Sequence, residues 1–531
     1  MDTAATFLNN ISQWGLATAD YACNAGAVLL PSMNGIEVLA IEAFPRRNYT
    51  FPGSPVYGTE PVTSPGFCNV TVTYTHPGWN DTINIISYLP FAESWNGKFL
   101  ANGGAGYITG GEAIASSTMV PGLLDGFAVS TTDGGHSMTM AEMVADTSTW
   151  ALTSPGNVNW PLLVDFASVA LHDMATIGKA VTKAFYGSPP QLSYFFGSST
   201  GGRQGHIIAQ RYPKDFDGII ALFPAINWAK FVFANIYPSF VMEQLKEYPQ
   251  RCEFEALRQA AISACDSLDG LEDGIISRPG LCQFDPHALV GHTFDCDGAN
   301  AVFSSGAATI ALATWNGPRS ATGDFQWYGF GLDANISDAL AGAAATKCNP
   351  EGKCAASPFP LSAVWVKYWV FKDPDFDLST MTHDEWDKAY HTSVREYDSI
   401  IGTNDADLSE FKKAGGKMIN WHGLQDQAIP TNGSVDYYER VLKRDPNAQD
   451  FYRFFLAPGA SHSMSVNISP SRQEMMKAIQ GWVENDTAPE TLRAVGPGRD
   501  GTTLERDLCM YPRLQHYRGG DGSRPNSFIC V

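Results

Sequence analysis

Ser199 stands between two glycines, in the run Gly197-Ser198-Ser199-Thr200-Gly201, and a serine so placed can serve as a nucleophile. Glycine two residues away on either side lets a strand turn abruptly into a helix, with the serine in a strained backbone and its oxygen projecting into a cleft. In a chain with 50 glycines the spacing alone proves little. A serine hydroxyl also needs a base to take its proton, and the base needs a carboxylate to hold its tautomer, in the chain order Ser, Asp, His for this kind of turn. Asp426, in His422-Gly423-Leu424-Gln425-Asp426, and His462, in Pro458-Gly459-Ala460-Ser461-His462, supply that order. Among eleven histidines His422 is the main competitor for the base, but it sits too near its strand and is expected to be structural. Acyl transfer further requires N–H donors for an oxyanion, for which Thr200 and Gly104 are the candidates, with Gly103 close behind.

The elements that must position these residues are legible around them. Phe166, Ala170, Met174, Ile177, Val181, Ala184 and Phe185 recur at helical spacing, which predicts an amphipathic helix over 165–186. Leu192 to Phe196 then reads as a strand, followed by the Ser199 turn, a helix to about Arg211 and a buried strand Gly218 to Phe223. Upstream, Val70 to Tyr74 and Thr82 to Leu89 read as strands, and Trp95 to Leu100 runs into the glycine-rich loop 101–106. Strand, turn, helix, strand is the parallel α/β grammar. It lapses between about 226 and 400 and resumes with a strand at Lys417 to Trp421. A helix around Val435 to Leu442, a strand around Phe451 to Leu456 and a helix near Gln473 to Val483 follow. The expected organisation is a catalytic domain over 1–225 and 401–531, with an inserted lid over 226–400.

Composition narrows the function classes. With 531 residues, 44 % of them hydrophobic and 17 % charged, the chain reads as globular, of two compact units or one core with a large insertion. A formal net charge of -20 without a Lys/Arg-rich run makes nucleic acid an unexpected partner. No apolar stretch approaches the ~20 residues that span a bilayer, so no membrane span is expected. Ten cysteines without a Cys-x-x-Cys pair read as disulfides. Sequons at Asn10, Asn48, Asn69, Asn80, Asn335, Asn432, Asn467 and Asn485 add to the expectation of a secreted, glycosylated protein. Met1 to Gly15 lacks the charged and apolar regions of a signal peptide, which is expected to be absent from this chain.

The run Tyr194-Phe195-Phe196-Gly197-Ser198-Ser199-Thr200-Gly201-Gly202-Arg203-Gln204-Gly205, after Ala184-Phe185-Tyr186-Gly187-Ser188-Pro189-Pro190, resembles the fungal tannase and feruloyl esterase family. Trp95-Asn96-Gly97-Lys98-Phe99, Ser130-Thr131-Thr132-Asp133-Gly134-Gly135-His136, Trp421-His422-Gly423 and Cys509-Met510-Tyr511-Pro512 look like further landmarks of it. The resemblance implies an α/β-hydrolase fold with a large inserted lid domain and a triad at Ser199, Asp426 and His462. It implies hydrolysis of phenolic-acid esters, feruloyl or other hydroxycinnamoyl esters first and galloyl esters as the alternative, the substrate being free or carried on plant polysaccharide. No organic cofactor is implied. The segment Cys265 to Ile275 looks like the family's calcium loop, with Asp266, Asp269 and Asp273 as carboxylate ligands and the Leu271 and Ile275 carbonyls beside them, a donor set suited to a hard cation. Cys265 and Cys282 flank that loop and are expected to staple it.

One departure stands out. The family places cysteines directly before the nucleophile and directly after the catalytic histidine, joined in a disulfide; here those positions are Ser198 and Ser463. Packing is expected to keep the triad in place, at some loss of thermal tolerance. The lid aromatics Trp365, Tyr368, Trp369 and Phe371 are read as core rather than pocket. The pairing of Cys252, Cys296, Cys348 and Cys354 is open, and a non-catalytic phenolic- or glycan-binding protein on the same scaffold is the rival of another class.

Overall fold

The structure is a computed structural model that describes residues 23–52, 61–145, 147–464, 468–498 and 501–531. The start of the chain and the sequons at Asn10 and Asn467 lie outside the described residues. The chain divides into two compact units, Met1–Met140 with Trp160–Ile219, and Ala141–Asn159 with Ile220–Val531.

In the first unit, β1 (Glu37–Phe51), β2 (Val62–Thr75), β3 (Ile83–Pro90), β4 (Lys98–Asn102), β5 (Ala128–Thr132) and β6 (Leu192–Ser198) lie in the order β1-β2-β3-β5-β4-β6. The first four in that order pair antiparallel, whereas β5 with β4 and β4 with β6 pair parallel. Lys98 faces Leu192 and Asn102 faces Phe196, so the glycine-rich loop after β4 and the turn after β6 emerge at the same sheet end. That end, beyond the carboxyl ends of parallel strands, is where α/β proteins place their sites.

The helix expected over 165–186 is two helices, α1 (Trp160–Ala167) and α2 (Val169–Tyr186), parted at Ser168 with φ -162°. The cause is Arg203, which is fully buried and donates from Nη2 to the Phe166 carbonyl at 2.9 Å and from Nη1 to the Ala167 carbonyl at 2.8 Å. Those acceptors would otherwise serve the next turn of a continuous helix. In α2 the apolar face of Ala170, Leu171, Met174, Ile177 and Val181 is buried. It lies so close to the sheet that a Cβ on Gly178 would come 2.7 Å from the Phe99 ring. α3 (Thr200–Arg211) follows the Ser199 turn.

The strand β7 (Gly218–Leu222) leads into the second unit, whose parallel pair β12 (Lys417–Gly423) and β13 (Tyr452–Ala457) resumes the α/β grammar after residue 416. Between β7 and β12 the described strands form only two isolated hairpins, β8 (Thr293–Cys296) with β9 (Ala299–Val302) and β10 (Thr346–Cys348) with β11 (Cys354–Ala356). Helices α4 (Thr431–Arg444) and α5 (Arg472–Asn485) flank β13 in sequence. Trp365 and Trp369 are fully buried and stacked on each other with centroids 5.2 Å apart, and Tyr368 is buried beside them, so these rings are core.

Five disulfides join Cys23 to Cys68, Cys252 to Cys296, Cys265 to Cys282, Cys348 to Cys354 and Cys509 to Cys530. The Cys265–Cys282 staple is the expected one, and the pairing left open by the sequence is settled. No described helix is long and apolar enough to cross a membrane.

Candidate active site

Ser199 occupies the sharp turn between β6 and α3, with φ 59° and ψ -119°, a left-handed backbone that a side-chain-bearing residue adopts only under constraint. The glycines around it are steric necessities of unequal weight. A Cβ on Gly197 would sit 2.4 Å from the Gly201 backbone, which no packing allows; one on Gly201 would come 3.1 Å from the Gly104 carbonyl, a tighter approach than most side chains tolerate.

The turn is sewn to the loop after β4. The Gly201 N–H donates to the Gly104 carbonyl at 3.1 Å, the Thr200 hydroxyl to the Gly106 carbonyl at 2.6 Å, and the Gly103 N–H to the Phe196 carbonyl at 3.0 Å. Gln204, one helical turn beyond Ser199, accepts the Gly104 N–H at 2.9 Å and donates to the Thr109 carbonyl at 2.9 Å. The expected oxyanion donors therefore differ. Thr200 opens α3, where a first-turn N–H has no intrahelical acceptor. The N–H groups of Gly104 and of Gly103 are already donated, so in this arrangement neither faces a ligand. Gly104 is a glycine for another reason: a Cβ there would overlap the Ile108 carbonyl.

In the second unit, Asp426 follows β12 and is 1 % exposed. Its Oδ1 accepts the N–H groups of Ala428 and Ile429, both at 2.8 Å. Its Oδ2 lies 2.8 Å from His462 Nδ1 and 3.1 Å from His422 Nε2. Burial works to raise the Asp426 carboxyl, yet the facing His462 and the hydrogen bonds from both imidazoles hold it well below the ordinary range. His462 keeps its side chain 18 % exposed, receives the Phe223 ring edge-on at 4.9 Å, and has its N–H fixed on Gln427 Oε1 at 3.1 Å. Imidazole and carboxylate are thus joined through Nδ1 as a general base requires.

His422 is fully buried, with Nδ1 2.8 Å from Ser434 Oγ and Nε2 shared between Asp426 and the Ile429 carbonyl at 3.2 Å. It cannot reach a substrate and serves to hold Asp426. Sequence reasoning did not find Arg203 and Gln204. Their only signal was the cluster of polar residues, Arg203, Gln204 and His206, in the helix directly after the nucleophile, all of them buried.

The residues of the expected calcium loop lie between the disulfide-joined Cys265 and Cys282. Asp266 accepts the N–H groups of Asp273, Gly274 and Ile275 at 3.2, 2.7 and 3.2 Å. Asp273 Oδ2 is 2.7 Å from Arg506 Nη2. Asp269 is 1 % exposed, and while its Oδ1 accepts the Leu271 N–H at 3.0 Å, its Oδ2 has no hydrogen-bond partner. A buried carboxylate oxygen without a partner beside two further carboxylates fits a hard cation.

A family model described as "Tannase and feruloyl esterase" matches residues 68–531. The chain is 39 % identical over 509 residues to a "Probable feruloyl esterase" of Arthroderma benhamiae, covering 94 % of this chain and 92 % of that protein. It is 32 % identical to a "Probable feruloyl esterase B" of Aspergillus clavatus, over 83 % of this chain and 82 % of the relative. Among solved structures it is similar to a tannin acyl hydrolase from Aspergillus niger, at TM-score 0.83 and 27 % identity over 97 % and 95 % of the two chains. Feruloyl esterase B from Aspergillus oryzae superposes at TM-score 0.76 and 25 % identity, over 94 % and 98 %.

Proposed function

The chain belongs to the tannase and feruloyl esterase family, and from that premise we propose that this carboxylic ester hydrolase of α/β-hydrolase fold acts on phenolic-acid esters through an acyl-enzyme formed on Ser199. The observation that carries the reading is the strained Ser199 at the strand-to-helix turn, which Gly197 closes and whose helix Gln204 ties to the loop after β4. His462 Nε2 accepts the Ser199 proton as Oγ attacks the ester carbonyl. Asp426 steadies the imidazolium, and the Thr200 N–H binds the oxyanion. His462 then protonates the leaving alcohol, and water activated by the same imidazole releases the acid. Gly104 can join as a second donor only by exchanging Gln204 for the oxyanion.

Feruloyl or hydroxycinnamoyl esters are placed before galloyl ones because the two relatives at 39 % and 32 % identity carry the feruloyl name. Galloyl hydroxyls need buried polar partners that a methoxy-bearing ring does not. Values of kcat/KM on methyl ferulate and methyl gallate test this: the reading expects ferulate to be preferred, and a clear preference for gallate makes the enzyme a tannase. Esters carried on plant polysaccharide are the corresponding natural class. Secretion agrees with five disulfides and with exposed sequons at Asn80 and Asn485.

Residues 226–400 form the inserted lid, and its loop takes calcium through Asp266, Asp269, Asp273 and the carbonyls of Leu271 and Ile275. The ion supplies positive charge to clustered carboxylates and takes no part in the acyl transfer. Calcium chelation is expected to lower Tm by several degrees, an effect that Asp269→Asn abolishes.

A further inference from the structure

A second cluster of ionisable groups is buried in the first unit, and its residues come from segments far apart in the chain. His76 follows β2, and its two ring nitrogens meet different carboxylates. Nδ1 is 2.6 Å from Asp81 Oδ2, and Nε2 is 3.0 Å from Asp173 Oδ2. Asp165 of α1 brings a third carboxylate, with Oδ1 3.8 Å from His76 Nδ1. Asp165 is 0 % exposed, and neither of its oxygens has a hydrogen-bond partner. Among the described residues no lysine or arginine pairs with any of the three carboxylates.

With protons alone, Asp81 must serve both His76 and Asp165. A neutral imidazole that donates from Nε2 to Asp173 turns its Nδ1 lone pair toward the Asp81 oxygen, two acceptors 2.6 Å apart. Protonating His76 mends both contacts and still leaves Asp165 bare. A proton placed on Asp165 has Asp81 to receive it, the carboxylate whose Oδ2 already faces His76 Nδ1 at 2.6 Å. The other Asp81 oxygen is already occupied by the His76 N–H and the Thr75 hydroxyl, both at 2.8 Å, and Asp173 Oδ2 also accepts the Tyr74 hydroxyl at 2.9 Å. An unpartnered carboxylate in the interior is costly unless a cation meets it.

We propose that His76 Nδ1, Asp81 and Asp165 bind one divalent transition-metal ion of the zinc or manganese class, with Asp173 as the outer carboxylate that fixes the His76 tautomer. The three donor atoms lie within 4.8 Å of one another, close to the span of two metal–ligand bonds of about 2.1 Å each. A histidine nitrogen with carboxylate oxygens suits these ions, whereas calcium takes six to eight oxygens. A carboxylate on the far ring nitrogen of a metal-bound histidine is a recurrent outer-shell partner. The ion would tie the end of β2 to α1, whose last carbonyls receive Arg203 from the nucleophile helix.

The test is metal analysis of the full-length protein by inductively coupled plasma mass spectrometry. It compares wild type with Asp165→Asn after dialysis against Zn2+ or Mn2+, with calcium in excess to saturate the lid loop. Wild type is expected to retain one equivalent of Zn2+ or Mn2+ per chain and Asp165→Asn less than a tenth of that, with an unchanged circular dichroism spectrum. Anomalous scattering at the metal edge beside Asp165 in wild-type crystals is a second readout that does not need the variant to fold. Wild type that holds no stoichiometric transition metal, or a folded variant that retains as much as wild type, overturns the proposal. So does a metal-free wild type whose Tm does not respond to Zn2+ or Mn2+ while Asp165→Asn melts higher, because then a proton suffices.

Discussion

The Ser199 turn and the Asp426–His462 loops are held by different forces. Around Ser199 the constraint is steric and carried by the backbone: glycines where a Cβ would collide, and amides and carbonyls joined across the β4 and β6 loops. None of those contacts titrates. Around Asp426 the constraint is electrostatic, one buried carboxylate gathering two N–H groups and two imidazoles. One side of the proposed chemistry should therefore respond to added atoms and the other to removed charge.

Removal of charge gives the largest effect. Asp426→Asn keeps the shape but takes away the carboxylate that sets the His462 tautomer, and kcat is expected to fall about 10⁴-fold with KM little changed. Added volume comes next. Gly197→Ala pushes a methyl group against the Gly201 backbone, displacing Ser199, and is expected to cost about 10²-fold in kcat/KM. Alanine at exposed Asn432, in the helix that follows Asp426, should do almost nothing. A smaller effect separates backbone support from charge: Gln204→Leu frees the Gly104 and Thr109 anchors and is expected to lower kcat about tenfold without shifting the pH profile. A pH shift in that variant would mean that the turn is coupled to a titrating group after all.

The smallest effect is on stability. Asp426 is held below its unfolded value of about 3.9, so its contribution is fully present above that pH and is lost as pH falls through the lower folded value. Urea unfolding followed from pH 7 down should show wild type and Asp426→Asn running parallel above about pH 4 and converging below it. Divergence between pH 5 and 7 would assign the shift to a different group.

Much of this was legible in the sequence, and the exceptions share a cause. Ser199, Asp426 and His462 announce themselves because a nucleophile turn imposes local spacing and because strand ends place partners in nearby loops. The split of the 165–186 helix was not legible, since it depends on Arg203 arriving from another segment to take two carbonyls. The engagement of Gly104 by Gln204 is likewise hidden, the two lying 100 residues apart. The cluster around His76 leaves no motif at all, because Asp165 and Asp173 join it only through the packing of α1 and α2 on the sheet. Local patterns carry turns and strand ends; side-chain closure over long separations does not.

The central claim is that Ser199 is the nucleophile activated by His462. A fluorophosphonate reagent followed by peptide mass spectrometry addresses it directly, on folded wild type and on His462→Ala. The account predicts a stoichiometric adduct on Ser199 in wild type, abolished by prior denaturation and strongly slowed in His462→Ala. Ester hydrolysis with no adduct on Ser199, or with the adduct on another residue, would contradict it.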